Sequence, residues 1–191
     1  MAAKSSLKNM ALCLTIVCLV CSAILGVVYA VTYDPIQAAA QKELEDGINK
    51  VLPSGGNLSE KLLADFGGQK YEYYESVVDG SAAAYAVKST TIGFGGPLTL
   101  MVGVLPDGTV YNTSVLTCNE TPGLGAKCTT DASFMDQWKN LSPDKVIKVS
   151  KDGGDIDAIT ASTITSRAYS LAVSNAVEFV KSLAGATNEE E

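Results

Sequence analysis

The first part of the chain is dominated by one long apolar run. No charged residue occurs over residues 9–33, a stretch of 25 positions. A helix needs about 20 apolar residues to span a bilayer, whereas the apolar region of a secretory signal peptide has only about 7–15. The pattern therefore predicts a transmembrane helix over residues 9–33, behind a short tip at residues 1–8. It favours a retained anchor over a cleaved signal peptide or a lipoprotein anchor.

Charges flank this run asymmetrically. Lys4 and Lys8 precede it, and Asp34 follows it. Positive residues are enriched on the cytoplasmic side of membrane helices. We therefore expect a single-pass protein of the cell (inner) membrane, with a cytoplasmic N-terminus and the main domain outside the cytoplasm.

The next segment has helical signals. Asp34 and Pro35 form a cap and first-turn pair, and helix formers follow as far as Val51. A second short helix is expected over residues 59–66, closed by Gly67 and Gly68. Together these features predict a membrane-proximal helical lead-in over residues 34–66.

Four segments then show the composition of β-strands. Two hairpins are predicted, one around Asp79-Gly80 and one around Pro106-Asp107-Gly108. The paired segments are residues 71–78 with 82–87, and residues 98–105 with 109–117. This arrangement predicts one antiparallel sheet.

The last part of the chain returns to helical periodicity. A short helix is expected over residues 131–140 and a further strand over residues 146–149. Apolar residues then recur at spacings of three and four from Thr163 to Leu183, which predicts an amphipathic helix ended by Gly185. The fold class is therefore α+β, with an antiparallel sheet flanked by helices in a domain over residues 67–185, and an acidic tail at residues 186–191.

Charge and composition exclude several functions. From Asp34 onward the chain has 12 basic and 21 acidic residues, a net charge of −9, so a nucleic-acid partner is not expected. Histidine is absent, which excludes a Ser/His/Asp triad and histidine-ligated metal or haem. Only Cys118 and Cys128 lie outside the apolar run, too few for an iron–sulfur cluster or structural zinc. We expect no catalytic residue and no metal site, and any electron transfer must use an organic cofactor.

The candidate chemistry lies where the last helix begins. Residues 157–163 read Asp-Ala-Ile-Thr-Ala-Ser-Thr. Small hydroxylated residues at a helix N-terminus suit a phosphate, because free backbone N–H groups and the helix dipole both favour an anion. The same residue types are also ordinary helix caps. The residues alone leave both interpretations open.

This segment resembles the flavin-attachment motif of the FMN-binding domain family, Asp-x-x-Ser/Thr-Gly-Ala-Thr. Asp157, Thr160 and Thr163 match the motif, whereas Ala161 stands where glycine is usual and Ser162 where alanine is usual. In that family the last threonine is joined to FMN through a phosphoester bond. The resemblance thus implies one covalent FMN per chain on Thr163, and recognition of Asp157 by a flavin transferase.

A second resemblance lies far away in the sequence. Residues 120–125, Glu-Thr-Pro-Gly-Leu-Gly, are similar to the loop after the central hairpin in the G subunits of Rnf complexes, and Gly95-Gly96-Pro97 matches the segment before that hairpin. The implied cofactor-binding residues are Thr160, Ala161, Ser162, Thr163, Ile164, Glu120, Thr121, Gly123, Leu124 and Gly125.

The resemblance implies a function as well as a cofactor. It implies a flavoprotein subunit, modified through a phosphoester, that carries electrons in a membrane translocase coupling ferredoxin:NAD electron transfer to Na⁺ or H⁺ movement. Its partners would be the other Rnf subunits, the flavin transferase and the lipid bilayer. The C subunit of the sodium-pumping NADH:quinone oxidoreductase is the first alternative. A non-redox extracytoplasmic binding or scaffolding module, in which Thr163 is only a helix cap, is the second.

Cys118 and Cys128 bracket the 120–125 loop. In an extracytoplasmic domain they can form a disulfide that closes the loop. Free thiols fit the sequence equally well, so both states stay open at this point.

Overall fold

The computed structural model of the protein describes residues 7–78 and 80–187. The first six residues of the predicted tip, Asp79 of the first predicted turn and residues 188–191 of the predicted tail lie outside the described residues. The described chain falls into two compact units, one ending at Glu43 and the other beginning at Leu44.

The described part of the first unit, residues 7–43, is helical. Helix α1 runs from Leu7 to Val51, and its 45 residues include a stretch long and apolar enough to cross a membrane. A helix needs about 20 apolar residues to span a bilayer, and the uncharged stretch over residues 9–33 exceeds this number. The apolar side chains of this stretch are exposed, as expected for a helix whose surroundings are apolar.

The predicted helix start at Asp34 and Pro35 is wrong. Helix α1 continues through both residues, with Pro35 in its interior. A proline removes one backbone hydrogen bond and crowds the preceding turn. Helix formers follow at residues 37–40, and the helix continues as one element instead of restarting.

The second unit is built on one antiparallel sheet. Its strands are β1 (Asn57–Leu58), β2 (Leu62–Phe66), β3 (Gln69–Val78), β4 (Ser81–Ile92), β5 (Pro97–Val104) and β6 (Val110–Cys118). The order is β1-β3-β4-β5-β6, with β2 pairing along the same edge of β3 as β1. Both predicted hairpins are confirmed, β3 with β4 and β5 with β6.

The predicted helix over residues 59–66 is wrong, because this segment forms strand β2. Its burial alternates with a period of two, and Ala64 and Phe66 pack against the main core. Gly67 and Gly68 both have positive φ angles, 59° and 78°. Two such residues form the tight turn of a β-hairpin, so the glycine pair joins β2 to β3 instead of ending a helix.

Both faces of the sheet are covered. Helix α3 (Thr163–Thr187) packs on one face, where its buried residues Tyr169, Val173 and Val180 join the core with strand residues such as Val87 and Leu100. On the other face the end of α1, from Leu44 to Val51, packs on Tyr74, Ala86 and Met101. This arrangement confirms the predicted α+β class.

The remaining elements are short. Helix α2 (Ala132–Met135) is followed by a 3-10 turn at Asp136–Trp138, so the helix predicted over residues 131–140 is present only in part. The strand predicted over residues 146–149 is wrong, because Val149 makes a single bridge to Ile156. Gly185 does not end α3, which continues to Thr187.

Two buried hydroxyl contacts fix α3 on the sheet. Thr91 donates a hydrogen bond of 2.9 Å to the carbonyl oxygen of Ala168, and the hydroxyls of Thr113 and Tyr169 lie 2.7 Å apart. Burial of this phenol raises the pKa of Tyr169, so it stays protonated and available as a donor. These contacts lie in the first two turns of α3, and they hold the helix start at one end of the sheet.

Candidate functional site

Three segments meet at that end of the sheet: the loop between β4 and β5, the loop after β6, and the start of α3. They enclose a cavity of about 370 Å³. The residues that line it are Phe94, Glu120, Thr121, Leu124, Gly125, Ala161, Ser162, Thr163, Ile164 and Thr165. Eight of these ten belong to the predicted cofactor-binding set, so the fold brings together two motifs that are distant in sequence.

Glu120 joins two of the three segments. Its side chain is only 8% exposed, and Oε1 accepts a hydrogen bond of 2.8 Å from the backbone N–H of Phe94. A Cβ atom on Gly93 would collide with this Oε1 atom. The carboxylate therefore occupies space that is open only because position 93 is glycine.

The loop after Glu120 owes its shape to two glycines. Thr121 to Leu124 form a turn closed by the Leu124 N–H, with Pro122 second and Gly123 third at a φ of 76°. This combination is typical of a type II turn. A Cβ on Gly125 would lie 2.5 Å from Glu120 Oε2 and 2.7 Å from Thr165 Oγ1. These two glycines therefore have roles within the protein, one in a turn and the other in a close contact with Glu120 and Thr165.

The start of α3 places Ser162 and Thr163 in different environments. The Ser162 carbonyl accepts the N–H of Ser166 at 3.0 Å, so Ser162 holds the cap position and Thr163 is the first helical residue. The Ser162 hydroxyl is buried without a hydrogen-bond partner in the described chain. Thr163 is half-buried, and its hydroxyl lies 3.3 Å from the Lys151 ammonium group. Thr163 is therefore not the residue that caps this helix.

Ala161 has an unusual backbone conformation. Its φ angle is 62°, in the left-handed region. A residue with a Cβ atom is disfavoured there, by about 1–2 kcal/mol relative to the right-handed region. This is the position at which the resemblance places a glycine, and the structure gives a physical reason for that preference.

The rim of the cavity is apolar and exposed. Phe94, Leu124 and Ile164 are 71%, 45% and 51% exposed, respectively. Each comes from a different one of the three segments. Together with the hydroxyls of Thr121 and Thr163, they form a surface suited to a flat ligand with an apolar ring and a polar tail.

Three predicted residues lie outside this cavity. Thr160 and Asp157 line a separate hollow of about 220 Å³, together with Asp131 and Gln137. The Asp157 N–H donates a hydrogen bond of 2.7 Å to Gln137 Oε1. This contact fixes the backbone, while Asp157 itself stays exposed. Gly123 shapes the loop but does not line the cavity.

Phe94 and Thr165 line the cavity without having been predicted. Phe94 lies between Gly93 and Gly95, and an aromatic residue flanked by two glycines in a loop was a usable signal. Thr165 gave no such signal, since a threonine within the first turns of a helix is common.

A larger depression, of about 420 Å³, lies between β3 and β4. Its lining is mainly polar and includes the Glu72–Lys88 ion pair, with Nζ and Oε2 2.9 Å apart. It contains none of the predicted residues. We therefore assign the candidate site to the smaller cavity at the end of the sheet.

Cys118 and Cys128 lie beside the site as free thiols. Their Sγ atoms are 3.8 Å apart, whereas a disulfide requires about 2.05 Å. Burial is the main reason why the pKa of Cys128 is raised to about 12, and the adjacent Cys118 thiol and Glu120 add to the effect. Cys128 is therefore protonated, and poorly reactive, at neutral pH.

Comparison with known families agrees with this location. A family model described as an FMN-binding domain matches residues 93–178, which include every residue lining the cavity. A second model, described as the RnfG N-terminal region, matches residues 1–51.

Individual relatives align over most of the chain. One is the G subunit of the proton-translocating ferredoxin:NAD(+) oxidoreductase complex of Clostridium ljungdahlii, 35% identical over 90% of each chain. The G subunit of the ion-translocating oxidoreductase complex of Vibrio vulnificus is 39% identical over 78% of this chain and 77% of its own length. The protein of the same name from Methanosarcina acetivorans is 31% identical over 87% of this chain and 92% of its own length.

Among solved structures, the C subunit of the Na(+)-translocating NADH-quinone reductase from Parabacteroides distasonis is similar at 28% identity. The TM-score is 0.43, and the match covers 59% of this chain and 62% of that chain.

The left-handed conformation of Ala161 leads to a stability prediction. The Ala161→Gly variant should have a free energy of unfolding about 1 kcal/mol higher than the parent, because glycine adopts this region without a Cβ penalty. Asn140→Gly is the matched control. Asn140 also has a positive φ, 50°, but asparagine tolerates this region better than alanine, so the gain in the free energy of unfolding should be smaller. Denaturant unfolding of both variants measures the difference, and an equal or lower stability for Ala161→Gly would contradict the strain.

The cysteine pair leads to a reactivity prediction. At pH 8 the alkylation of Cys128 should be at least about a hundredfold slower in the folded chain than in the unfolded chain, and it should rise about tenfold per pH unit below its pKa. Trypsin cleavage at Lys127 separates Cys118 from Cys128, so mass spectrometry can follow each residue. Labelling of Cys128 at the unfolded rate, or recovery of the two peptides as one cross-linked species, would contradict the free, protonated thiol.

Proposed function

The chain belongs to the G-subunit family of ion-translocating oxidoreductase complexes, and on this premise we propose that it holds a covalent FMN at Thr163. It is an electron-carrying subunit of an ion-translocating ferredoxin:NAD oxidoreductase, active with the other subunits of that complex and not alone. The C subunit of the sodium-pumping NADH:quinone oxidoreductase is the weaker alternative, because the relatives that align over most of the chain are named as G subunits.

The position of Thr163 is the observation that carries the proposal. Its hydroxyl belongs to the first helical residue, is not used as a cap, and stands at a cavity whose other wall is the 120–125 loop. The cavity volume, about 370 Å³, falls in the range of about 300–1,000 Å³ typical of cofactor sites. The unpartnered Ser162 hydroxyl and the exposed apolar rim also fit a flavin with a phosphate tail.

Each part of the site has a role in this proposal. When bound, FMN supplies the redox chemistry, and the protein supplies position and electrostatics. Thr163 would provide the ester oxygen: its hydroxyl loses a proton and bonds to phosphorus as the transferase breaks the pyrophosphate bond of a flavin dinucleotide, and a nucleoside monophosphate leaves. The free N–H groups of the first turn of α3 would hold the phosphate. Phe94, Leu124 and Ile164 would hold the ring system, and Glu120 keeps the loops of Phe94 and Leu124 together. One attachment residue implies one FMN per chain.

Asp157 is proposed to serve the flavin transferase and not the bound cofactor. It is exposed, lies six residues before Thr163 and lines a separate hollow. A residue in this place is accessible to a second protein while the attachment residue remains in its cavity. Thr160 lines the same hollow and is assigned to the same contact.

A covalent-loading assay tests the proposal. The full chain is co-expressed with a flavin transferase, denatured, and examined for in-gel fluorescence and an added FMN mass. The parent should retain flavin, and Thr163→Ala should lose it entirely, because the ester oxygen is gone. Asp157→Asn should load several-fold more slowly than the parent, while its loaded fraction stays bound on denaturation.

Thr130→Ala is the control, because Thr130 is an exposed hydroxylated residue outside the cavity. It should load like the parent. A parent chain that releases all its flavin on denaturation would refute the covalent bond. Loading that survives in Thr163→Ala would place the bond elsewhere.

The membrane placement is also a proposal. We propose a single-pass arrangement with the N-terminus in the cytoplasm and the flavin domain outside it. Support comes from Lys4 and Lys8 before the apolar run and from the length of α1. Covalent attachment fits this location, because a dissociated cofactor would be lost from the cell.

Reporter fusions check the orientation. A reporter that works only outside the cytoplasm should be active when fused after Lys61, and a reporter that works only in the cytoplasm should be inactive there. Exchanging Lys4 and Lys8 for neutral residues should weaken this preference. Activity of only the cytoplasmic reporter after Lys61 would overturn the orientation.

A further inference from the structure

A lysine lies next to the attachment threonine. Lys151 Nζ is 3.3 Å from Thr163 Oγ1, although the two residues are twelve positions apart. Lys151 itself is exposed and belongs to a 3-10 turn, Ser150–Asp152. An ammonium group within hydrogen-bonding distance of an ester oxygen would also be close to the phosphate attached there.

The turn that carries Lys151 is held firmly. The Ser150 N–H donates a hydrogen bond of 2.7 Å to the Ile156 carbonyl oxygen, and the Ile156 N–H donates one of 3.0 Å to the Lys148 carbonyl oxygen. Gly153 adopts a φ of 81° at the end of the turn, and a Cβ on Gly154 would collide with the Lys148 backbone. The sequence Lys-Asp-Gly-Gly thus makes a tight loop that displays Lys151 at a fixed place.

An ion pair ties this loop to α3. Arg167, one turn after Thr163, donates two hydrogen bonds to the Asp152 carboxylate, at 2.6 Å and 2.7 Å. The hydrogen bonds and the charge of Arg167 lower the pKa of Asp152, which therefore stays ionised at neutral pH. A bidentate pair fixes orientation as well as distance. Lys151 is thereby positioned against the first turn of the helix.

Several neighbouring charged side chains are already paired. Arg167 is paired with Asp152, and Asp155 accepts the Val146 N–H and lies 3.4 Å from Lys145 Nζ. Within residues 7–78 and 80–187, Lys151 forms no ion pair. In a chain with a net charge of −7, an unpaired cation fixed beside the attachment residue is available for a ligand anion.

A second, independent feature points to a ligand at the same place. Ser162 lines the cavity, is only 7% exposed, and its hydroxyl has no hydrogen-bond partner in the described chain. A buried hydroxyl without a partner is costly, so a bound group that completes its hydrogen bonding would be favoured at this place.

From these contacts we propose that Lys151 binds the phosphate through which FMN is attached to Thr163, with Asp152 and Arg167 as the positioning pair. The inference rests on the proposed function, and it adds a residue outside the 157–163 motif. A phosphodiester keeps one negative charge, and Lys151 neutralises it in a domain that is otherwise acidic. Lys151 Nζ, which donates to the Thr163 hydroxyl in the free chain, would donate to a phosphate oxygen when FMN is attached.

Five variants of the full chain separate this role from others. Lys151→Ala removes the cation, and Lys151→Arg keeps the charge. Lys148→Ala removes an equal charge three residues earlier in the same loop, and Arg167→Ala removes the positioning pair. Thr163→Ala is the negative control for attachment. All are co-expressed with limiting flavin transferase, and the loaded fraction is followed by intact mass.

Lys151→Ala should lower the initial loading about tenfold, the effect of one hydrogen bond to a charged group. Lys151→Arg should stay within about threefold of the parent, because it retains the charge but not the same reach. The initial loading of Arg167→Ala should lie between those of the two Lys151 variants, and Lys148→Ala should load like the parent. Parental loading by Lys151→Ala would overturn the inference, while the proposed function would stand as long as Thr163→Ala stays unloaded.

A measurement on loaded protein distinguishes phosphate binding from a contact with the transferase. The ³¹P resonance of the attached FMN should shift in Lys151→Ala relative to the parent and remain in place in Lys148→Ala. The melting temperature of the unloaded chain should be the same in the parent, Lys151→Ala and Lys148→Ala, since Lys151 is exposed. An unchanged resonance in Lys151→Ala would overturn the inference even if loading were slow. A parent without covalent flavin would instead refute the proposed function itself.

Discussion

The candidate site depends on one buried carboxylate. Glu120 lies between Gly93 and Gly125, and its bond to the Phe94 N–H links the loop before β5 to the loop after β6. A buried acceptor that loses its partner is costly, so these loops are stable only together. Because Gly125 also lies against Thr165, the same contact reaches the start of α3. Three segments that are far apart in sequence are thus fixed around one cavity.

Much of the fold could be predicted from local patterns. The two hairpins and α3 follow from alternation, turn residues and a 3.6-residue period, and each is present in the structure. The failures occurred where one residue type serves two purposes. The Gly67-Gly68 pair ends helices in one context and makes a hairpin turn in another, and Pro35 can begin a helix or lie inside one. Only the surrounding partners, β3 in the first case and the continuous helix in the second, decide between these outcomes.

The site was predictable to a different extent. The two motifs could be identified from their residues, but their meeting in one cavity depends on how α3 packs across the sheet, through contacts such as Thr91 with Ala168. The contact of Gly125 with the Glu120 carboxylate could not be predicted either, because it exists only once the loop after β6 has folded back on itself. The proximity of Lys151 to Thr163 could not be predicted from the sequence, because it depends on the Asp152–Arg167 pair between the loop and α3.

The shape of the cavity is consistent with a tethered ligand. Three of its apolar residues, Phe94, Leu124 and Ile164, remain substantially exposed, so a flavin here would leave part of its surface open. A ligand held only by such contacts would dissociate readily, because affinity requires burial of most of its surface. A covalent bond removes that requirement by keeping the local concentration of the ligand high. On the proposed function, the open rim then has an advantage, since part of the ring would remain open to an electron partner.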